Sequence, residues 1–253
     1  MVFLSPELAV PLLVFASLLA LCMIPAALAA RRDTRTIRGT NVWAKPLKFM
    51  AALALFAATT ALLMQAAGAQ APLNGIAALV ISTSTFEAAY ITYQASRGEP
   101  SHYNTSDTVH TVLTVLMAGG AIALTASQAW LAWVIMATNP AWRASVTILG
   151  VVTGLLATFV LATVSGFMLG GRRAPEGPGA PLVGWQRHAD LRPAHFMGVH
   201  AQQFIPAFGY LADRLLGSAA HAGFTAMTLA YVLAWAGLTR MQCKPRAPAS
   251  TAA

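Results

Sequence analysis

Seven apolar runs, each about long enough to cross a ~30 Å hydrocarbon core, follow one another along the chain and leave few architectures open. They lie near 8–30, 47–69, 73–96, 107–133, 145–171, 193–216 and 219–239. Hydrophobic residues make up 57% and charged residues only 9%, against about a quarter charged in soluble domains, so the chain reads as a polytopic membrane protein. In lipid every backbone N–H and C=O must be paired inside the protein, which favours helices. The expectation is an all-α, seven-helix transmembrane bundle forming one domain over 1–253, with residues 240–253 as a disordered cytoplasmic tail. The first run is expected to stay as a span. "AALAA" looks like a cleavage site, but "MVFLSPE" offers no basic region and "RRDTRTIR" follows at once.

The basic residues orient the bundle. The loop after the first run carries Arg31, Arg32, Arg35, Arg38, Lys45 and Lys48, and of the 16 Lys and Arg only Arg143 and Arg214 fall on the opposite side. That bias predicts the N-terminus outside and the C-terminus inside. The net charge of +8 is thereby accounted for by topology; the expected partner is the lipid bilayer and not nucleic acid. Cys22 and Cys243 suggest no disulfide framework. The only lysines are Lys45, Lys48 and Lys244, none buried in a span, which excludes a retinal Schiff base.

Polar residues inside the spans carry the functional argument. Glu87 lies ten residues before Arg97, about 15 Å deep at 1.5 Å per residue. An ionised carboxylate there costs several kcal/mol unless paired, protonated or hydrated, so it is a candidate catalytic base, hard metal ligand or proton-coupling group. Thr83, Tyr90 and Gln94 share its face within about 60°. The fourth run starts at "SDTVH", where Ser106 or Asp107 can cap the helix and His110 sits one turn in. The sixth reads "DLRPAHFMGVHAQQFIPAFGYL": Pro193 suits a first turn, His195 and His200 are on different faces, Gln202 and Gln203 follow, and Pro206 leaves the Gln202 carbonyl without a helical donor. A helix polar on two faces is expected inside the bundle, kinked at Pro206.

In this topology Glu87, His110, His195 and His200 fall in the cytoplasmic half, with His102 and Asn104 in "RGEPSHYN" and His188, Asp190 and Arg192 in "GWQRHADLRP" on the same side. The leading expectation is a metal or haem centre for redox or hydrolytic chemistry. His102, His110, His195 and His200 would be metal ligands, and Tyr90, Gln94, Asn104, Arg192, Gln202 and Gln203 would line the cofactor site. Zinc, iron or copper suits imidazole, and haem b would need an axial pair such as His110 with His195 or His200. The alternatives are a proton-coupled carrier or sensor of a small-molecule substrate using Glu87, or a structural subunit of a homo-oligomer or larger membrane complex. Gly150/Gly154 and Gly166/Gly170 are read as helix-packing pairs, "EGPGAP" as a connecting loop or lid, and Trp43 as an interfacial anchor.

"KPLKF" (45–49), "QASRGEPSHYN" (94–104), "EGPGAPLVGW" (176–185) and "DLRPAHFMGVHAQQ" (190–203), taken in order, resemble a family of small, uncharacterised bacterial polytopic inner-membrane proteins. The resemblance implies a multi-pass protein of the bacterial cytoplasmic membrane and supplies no reaction. The chain departs from that pattern in "GWQRHADLRP", which is slightly shorter and more basic. The seven-span metal hydrolases of the ceramidase type place a HxxxH pair late in the chain, whereas His195 and His200 stand at HxxxxH, a spacing that changes the helical face.

Overall fold

A computed structural model describes residues 9–37, 39–68, 71–170, 180, 184–186 and 189–243. Most of "EGPGAP", His188 and the residues after Cys243 lie outside that set. The described residues form seven long helices: α1 Val10–Arg32, α2 Ala44–Leu63, α3 Asn74–Arg97, α4 Thr108–Thr138, α5 Val146–Leu169, α6 Arg192–Leu215 and α7 Ala220–Cys243. Between α1 and α2 a two-stranded antiparallel ladder pairs β1 Thr36–Ile37 with β2 Thr40–Asn41. α7 continues through Cys243, so residues 240–243, expected in the tail, are helical.

Six of the seven helices are long and apolar enough to cross a membrane. The exception is α6, whose 24 residues would suffice in length but include Arg192, His195, His200, Gln202 and Gln203. The expectation that α6 is enclosed on all sides is corrected. His200, Gln202 and Gly198 are buried against the bundle, while Phe196, Phe204, Tyr210 and Leu211 stand exposed. Its polar face therefore points inward and its aromatic face outward, the reverse of a helix at a water-facing surface.

Two neighbouring pairs, α3 with α4 and α5 with α6, run antiparallel. Glu87 and Thr83 of α3 meet Gly120 of α4, while Gly75 near the start of α3 meets Trp130 near the far end of α4. On α5 and α6, Gly150 faces Gly209, Gly154 faces Pro206 and the Ala162 backbone faces Gly198, an antiparallel register. This last seam brings two helix backbones close together at several points. An ideal Cβ on Gly198 would lie 2.7 Å from the Ala162 nitrogen, and one on Gly150 would lie 2.9 Å from the Gly209 Cα. Apolar side chains gain little by leaving lipid, so close backbone approach over small residues is what binds such a pair. Gly150 and Gly154 thus pack as expected, whereas Gly166 receives the His195 ring instead of a helix. α6 stays helical through Pro206, which is buried on Gly154.

A central apolar cluster joins α1 to α5 through residues such as Leu12, Ala57, Ile76, Leu131 and Leu155, and a second joins α5 to α7 through Leu161, Ile205 and Phe224. Outward-facing Leu18, Val115, Trp133, Phe167 and Leu233 remain exposed, as expected of lipid-facing surfaces.

Candidate functional site

α3 carries a row of buried polar atoms facing its neighbours. Glu87 is 4% exposed, and its Oε1 has no hydrogen-bond partner among the described residues. The same holds for the Tyr90 hydroxyl, Gln94 Oε1 and Ser84 Oγ. Spacings of three and four residues keep Glu87, Tyr90 and Gln94 on one side of the helix, over about 10 Å of its length. Room for the carboxyl comes from α4: an ideal Cβ on Gly120 would lie 3.1 Å from Glu87 Oε1 and 3.1 Å from Thr83 Cγ2. Higher up, Tyr90 stacks on Phe86 at 6.3 Å and packs with Met117, Leu113 and Phe49.

The row ends beneath the loop at the basic end of the bundle. α3 stops at Gly98, whose φ of 74° is costly for a residue with a Cβ, and the chain turns back so that the Glu99 N–H donates to the Gln94 carbonyl. Gln94 Nε2 donates to the Pro100 carbonyl at 3.3 Å. The following loop is tied down locally. Asn104 Oδ1 accepts from the Ser106 N–H, the Asn104 carbonyl accepts from Thr114 Oγ1, and Asp107, not Ser106, caps α4 by accepting from the His110 N–H at 2.9 Å. Asn104 therefore has a visible structural task. His102 sits edge-on to Phe49 at 5.6 Å, and the Lys45 ammonium lies 5.6 Å from the same ring. Burial, with the Lys45 charge adding to it, pushes the His102 imidazole down to about 3, so it is neutral at ordinary pH.

The other histidines go elsewhere. His110 has Asp107 Oδ2 at 2.7 Å from Nδ1 and Glu99 Oε2 at 3.3 Å from Nε2. His195 turns to α5, with Nδ1 3.1 Å from Ser165 Oγ. His200 bonds within α6: its Nδ1 is 3.2 Å from Gln203 Oε1, and Gln203 Nε2 in turn donates to Thr59 Oγ1 of α2 at 3.0 Å. The His200 ring also lies 4.0 Å from that of Phe196, which meets Trp185 edge-on. Gln202 is 1% exposed with both amide atoms unpartnered among the described residues. Its place between Gly198 and Pro206 directs it at the α5 seam, opposite the register of Thr158, whose Oγ1 is likewise unpartnered.

The start of α6 is held by Asp190. That carboxylate accepts from the Gln186 and Arg192 N–H groups and from Arg192 Nε and Nη2, while the Asp190 N–H donates to Gln242 Oε1 of α7. Burial by itself would raise the Asp190 carboxyl; the Arg192 side chain and the two backbone donors outweigh it and hold the group below the usual carboxylate range. Arg192 Nη2 also donates to the Gly184 carbonyl.

The side chains expected to share a hollow take separate partners among the described residues: Glu87 lies against Gly120 of α4, His195 against Ser165 of α5, and His200 against Gln203 and Phe196 of its own helix. Among the described residues no three His, Cys, Asp or Glu side chains are grouped as a metal ion requires. His102, His110, His195 and His200 thus form no common ligand set. Of the residues expected as an axial haem pair, His110 has carboxylates near both ring nitrogens, His195 has Ser165 of α5 and His200 has Gln203 of its own helix. What does converge is the set of four stretches that carry the family resemblance. Phe49 touches His102, an ideal Cβ on Gly184 would lie 4.0 Å from Lys48 Nζ, Gly184 accepts from Arg192, and Trp185 meets Phe196. Tyr103 and Ala189, non-glycine residues at φ of 55° and 56°, sit in the two loops of this end. Such conformations cost of order 1–3 kcal/mol and persist only where the surroundings impose them.

Sequence reasoning missed Gly120, Thr59 and Lys45. The glycine pair in mid-span "MAGGA" was a readable signal for Gly120, since paired glycines inside a helix lower its stability without a packing reason. Thr59 gave none. In comparisons with known proteins, the chain matches no family model, no curated protein and no solved structure.

Proposed function

We propose that the chain is a seven-crossing protein of the bacterial cytoplasmic membrane, N-terminus out and C-terminus in, that binds a small polar solute from the cytoplasmic side. Binding is coupled to uptake and release of a proton by Glu87, as in a carrier or sensor. The observation that carries this reading is the α3 row: Gln94, Tyr90 and Glu87 present buried polar atoms, unpartnered among the described residues, in sequence from the basic end to mid-helix. Buried polar groups are paired in the great majority of cases, so several orphans on one face suggest a surface made for something else to bind. Gly120 adds to this, because a larger residue there would press on the carboxyl. The outward aromatic face of α6 supports the seventh crossing, and the asymmetry of Lys and Arg supports the orientation. Convergence of the four resembling stretches at one end supports membership of the family they resemble.

Infrared difference spectra of protein in lipid nanodiscs, recorded against pH, test the reading. A carboxyl carbonyl band that titrates in the wild type and is missing in Glu87→Gln is expected. Identical titrating bands in the two proteins would overturn it.

A further inference from the structure

The turn that leaves α1 is tied more firmly than a tether between two membrane helices needs to be. Asn41 of β2 closes the helix end: its Nδ2 donates to the Ala30 carbonyl at 3.2 Å and to the Asp33 carbonyl at 2.7 Å, while its Oδ1 accepts from the Trp43 N–H. The Ala30 carbonyl is one of those a helix leaves unpaired at its last turn. Asp33 organises the rest. Its carboxylate accepts from the Arg35 N–H, from Arg35 Nε and Nη2, and from Trp43 Nε1 at 2.9 Å. Arg35 Nη2 also donates to the Ser96 carbonyl near the end of α3. Beside this frame lies an open recess of about 460 Å³, lined by Ala29, Arg32, Asp33, Thr34, Arg35 and Trp43.

We propose that this recess binds the phosphate headgroup of one anionic phospholipid, whose acyl chains run down the exposed face of α1. Charge is the first argument. Arg32 and Arg35 outweigh Asp33 among the lining residues, and Arg31 stands next to them. Arg35 is committed to Asp33 and Ser96, whereas Arg31 and Arg32 are exposed and make no ion pair among the described residues. Arg32 is therefore the guanidinium that meets the phosphate, a group its planar donors fit. The second argument separates a lipid from a soluble phosphate ester. Leu21, Ile24 and Leu28 are exposed and share a face with Arg31 and Arg32, all within about 100° around the helix. From Leu21 to Arg32 this stripe runs about 16 Å, roughly the hydrocarbon depth of one leaflet. A headgroup at Arg32 thus has its chains on Leu28, Ile24 and Leu21, while a free ester would leave the stripe uncovered. Trp43, its N–H held by Asp33, sets a fixed ring beside the headgroup, where indole is favoured at the membrane–water boundary. The assignment uses α1 as a membrane span and is independent of the solute reading for Glu87.

Native mass spectrometry of the full chain released from detergent tests this, with phosphatidylglycerol and phosphatidylcholine of matched acyl chains added together. The wild type is expected to retain one phosphatidylglycerol in preference to phosphatidylcholine. Arg32→Gln is expected to weaken that retention about fivefold, the scale of one basic residue near an anionic surface. Arg240→Gln, which removes the same charge from the last turn of α7, is expected to leave it unchanged. Equal losses in the two variants would reduce the effect to diffuse charge and overturn the site. Full retention in Arg32→Gln would overturn it too, as would a wild type that holds both lipids alike. Glycerophosphoglycerol, the same headgroup without chains, is expected not to displace the lipid at equal concentration. Displacement would point to a soluble phosphate ester and overturn the lipid assignment.

Discussion

The α3–α4 pair and the α5–α6 pair both bury polar side chains between membrane helices, yet they do so differently. On α5 and α6 the polar groups are set into a seam of small residues. His195 meets Ser165, and Gln202 and Thr158 sit where Gly198, Gly154 and Gly209 bring the two backbones close. On α3 a carboxyl group is placed against Gly120, with Tyr90 and Gln94 leading from it to a loop. An amide in a tight, neutral seam costs a few kcal/mol at most, whereas a potential charge at that depth costs more and is retained for a reason. Orphaned atoms alone do not separate a packing seam from a site. The ionisable group on α3, and a row that ends under a polar loop, do.

The sharpest way to break this comparison is Gly198→Val. Its side chain would meet the Ala162 and Leu161 backbone, which cannot rotate away as a side chain can. A loss of about 3 kcal/mol, at the upper end for overpacking, is expected in thermal unfolding of the detergent-solubilised protein. An unchanged midpoint would mean that the seam is not what holds the pair. Asp190→Asn comes next, at about 2 kcal/mol for an acceptor of several charge-assisted bonds. Because the folded-state carboxyl of Asp190 is held below its ordinary range, its contribution is present above the unfolded-state value and lost as pH falls through the folded one. Wild-type melting should therefore drop in acid, and the variant should start lower at neutral pH and depend less on pH. Thr59→Val should cost about 1 kcal/mol by removing the acceptor of the Gln203 amide. Smallest is Gln202→Met, where replacing an unpartnered amide by an apolar chain of similar size should change stability by roughly 0.5 kcal/mol or less, or raise it. A large loss in the same melting assay would show that Gln202 has a partner and that the two pairs are more alike than argued.

Helix positions were legible because hydropathy and length act locally. The start of α3 and the cap at Asp107 follow from the residues themselves, and the length of α6 was readable despite its polar content. Which helix each polar residue faces was not. Gln203, the partner of His200, meets Thr59 of α2, 144 residues away, and nothing in the run "AATTALL" marks that threonine over its neighbour. Equal depth does not make side chains neighbours: Glu87 lies against α4, His195 against α5, and His200 against Gln203 of its own helix. The faces of His195 and His200 were correctly separated by their spacing; their partners required coordinates.

Thiol accessibility tests the central claim most directly. With Cys22 and Cys243 replaced by serine, Gln94→Cys, Tyr90→Cys, Glu87→Cys and Gln202→Cys are treated in sealed, oriented vesicles with a small, membrane-impermeant thiol reagent. The account predicts reaction from the cytoplasmic side only, fastest at position 94, slower at 90 and slowest at 87, with position 202 inert. Position 202 reacting as fast as the α3 positions, or no reaction along α3 from either side, would contradict it.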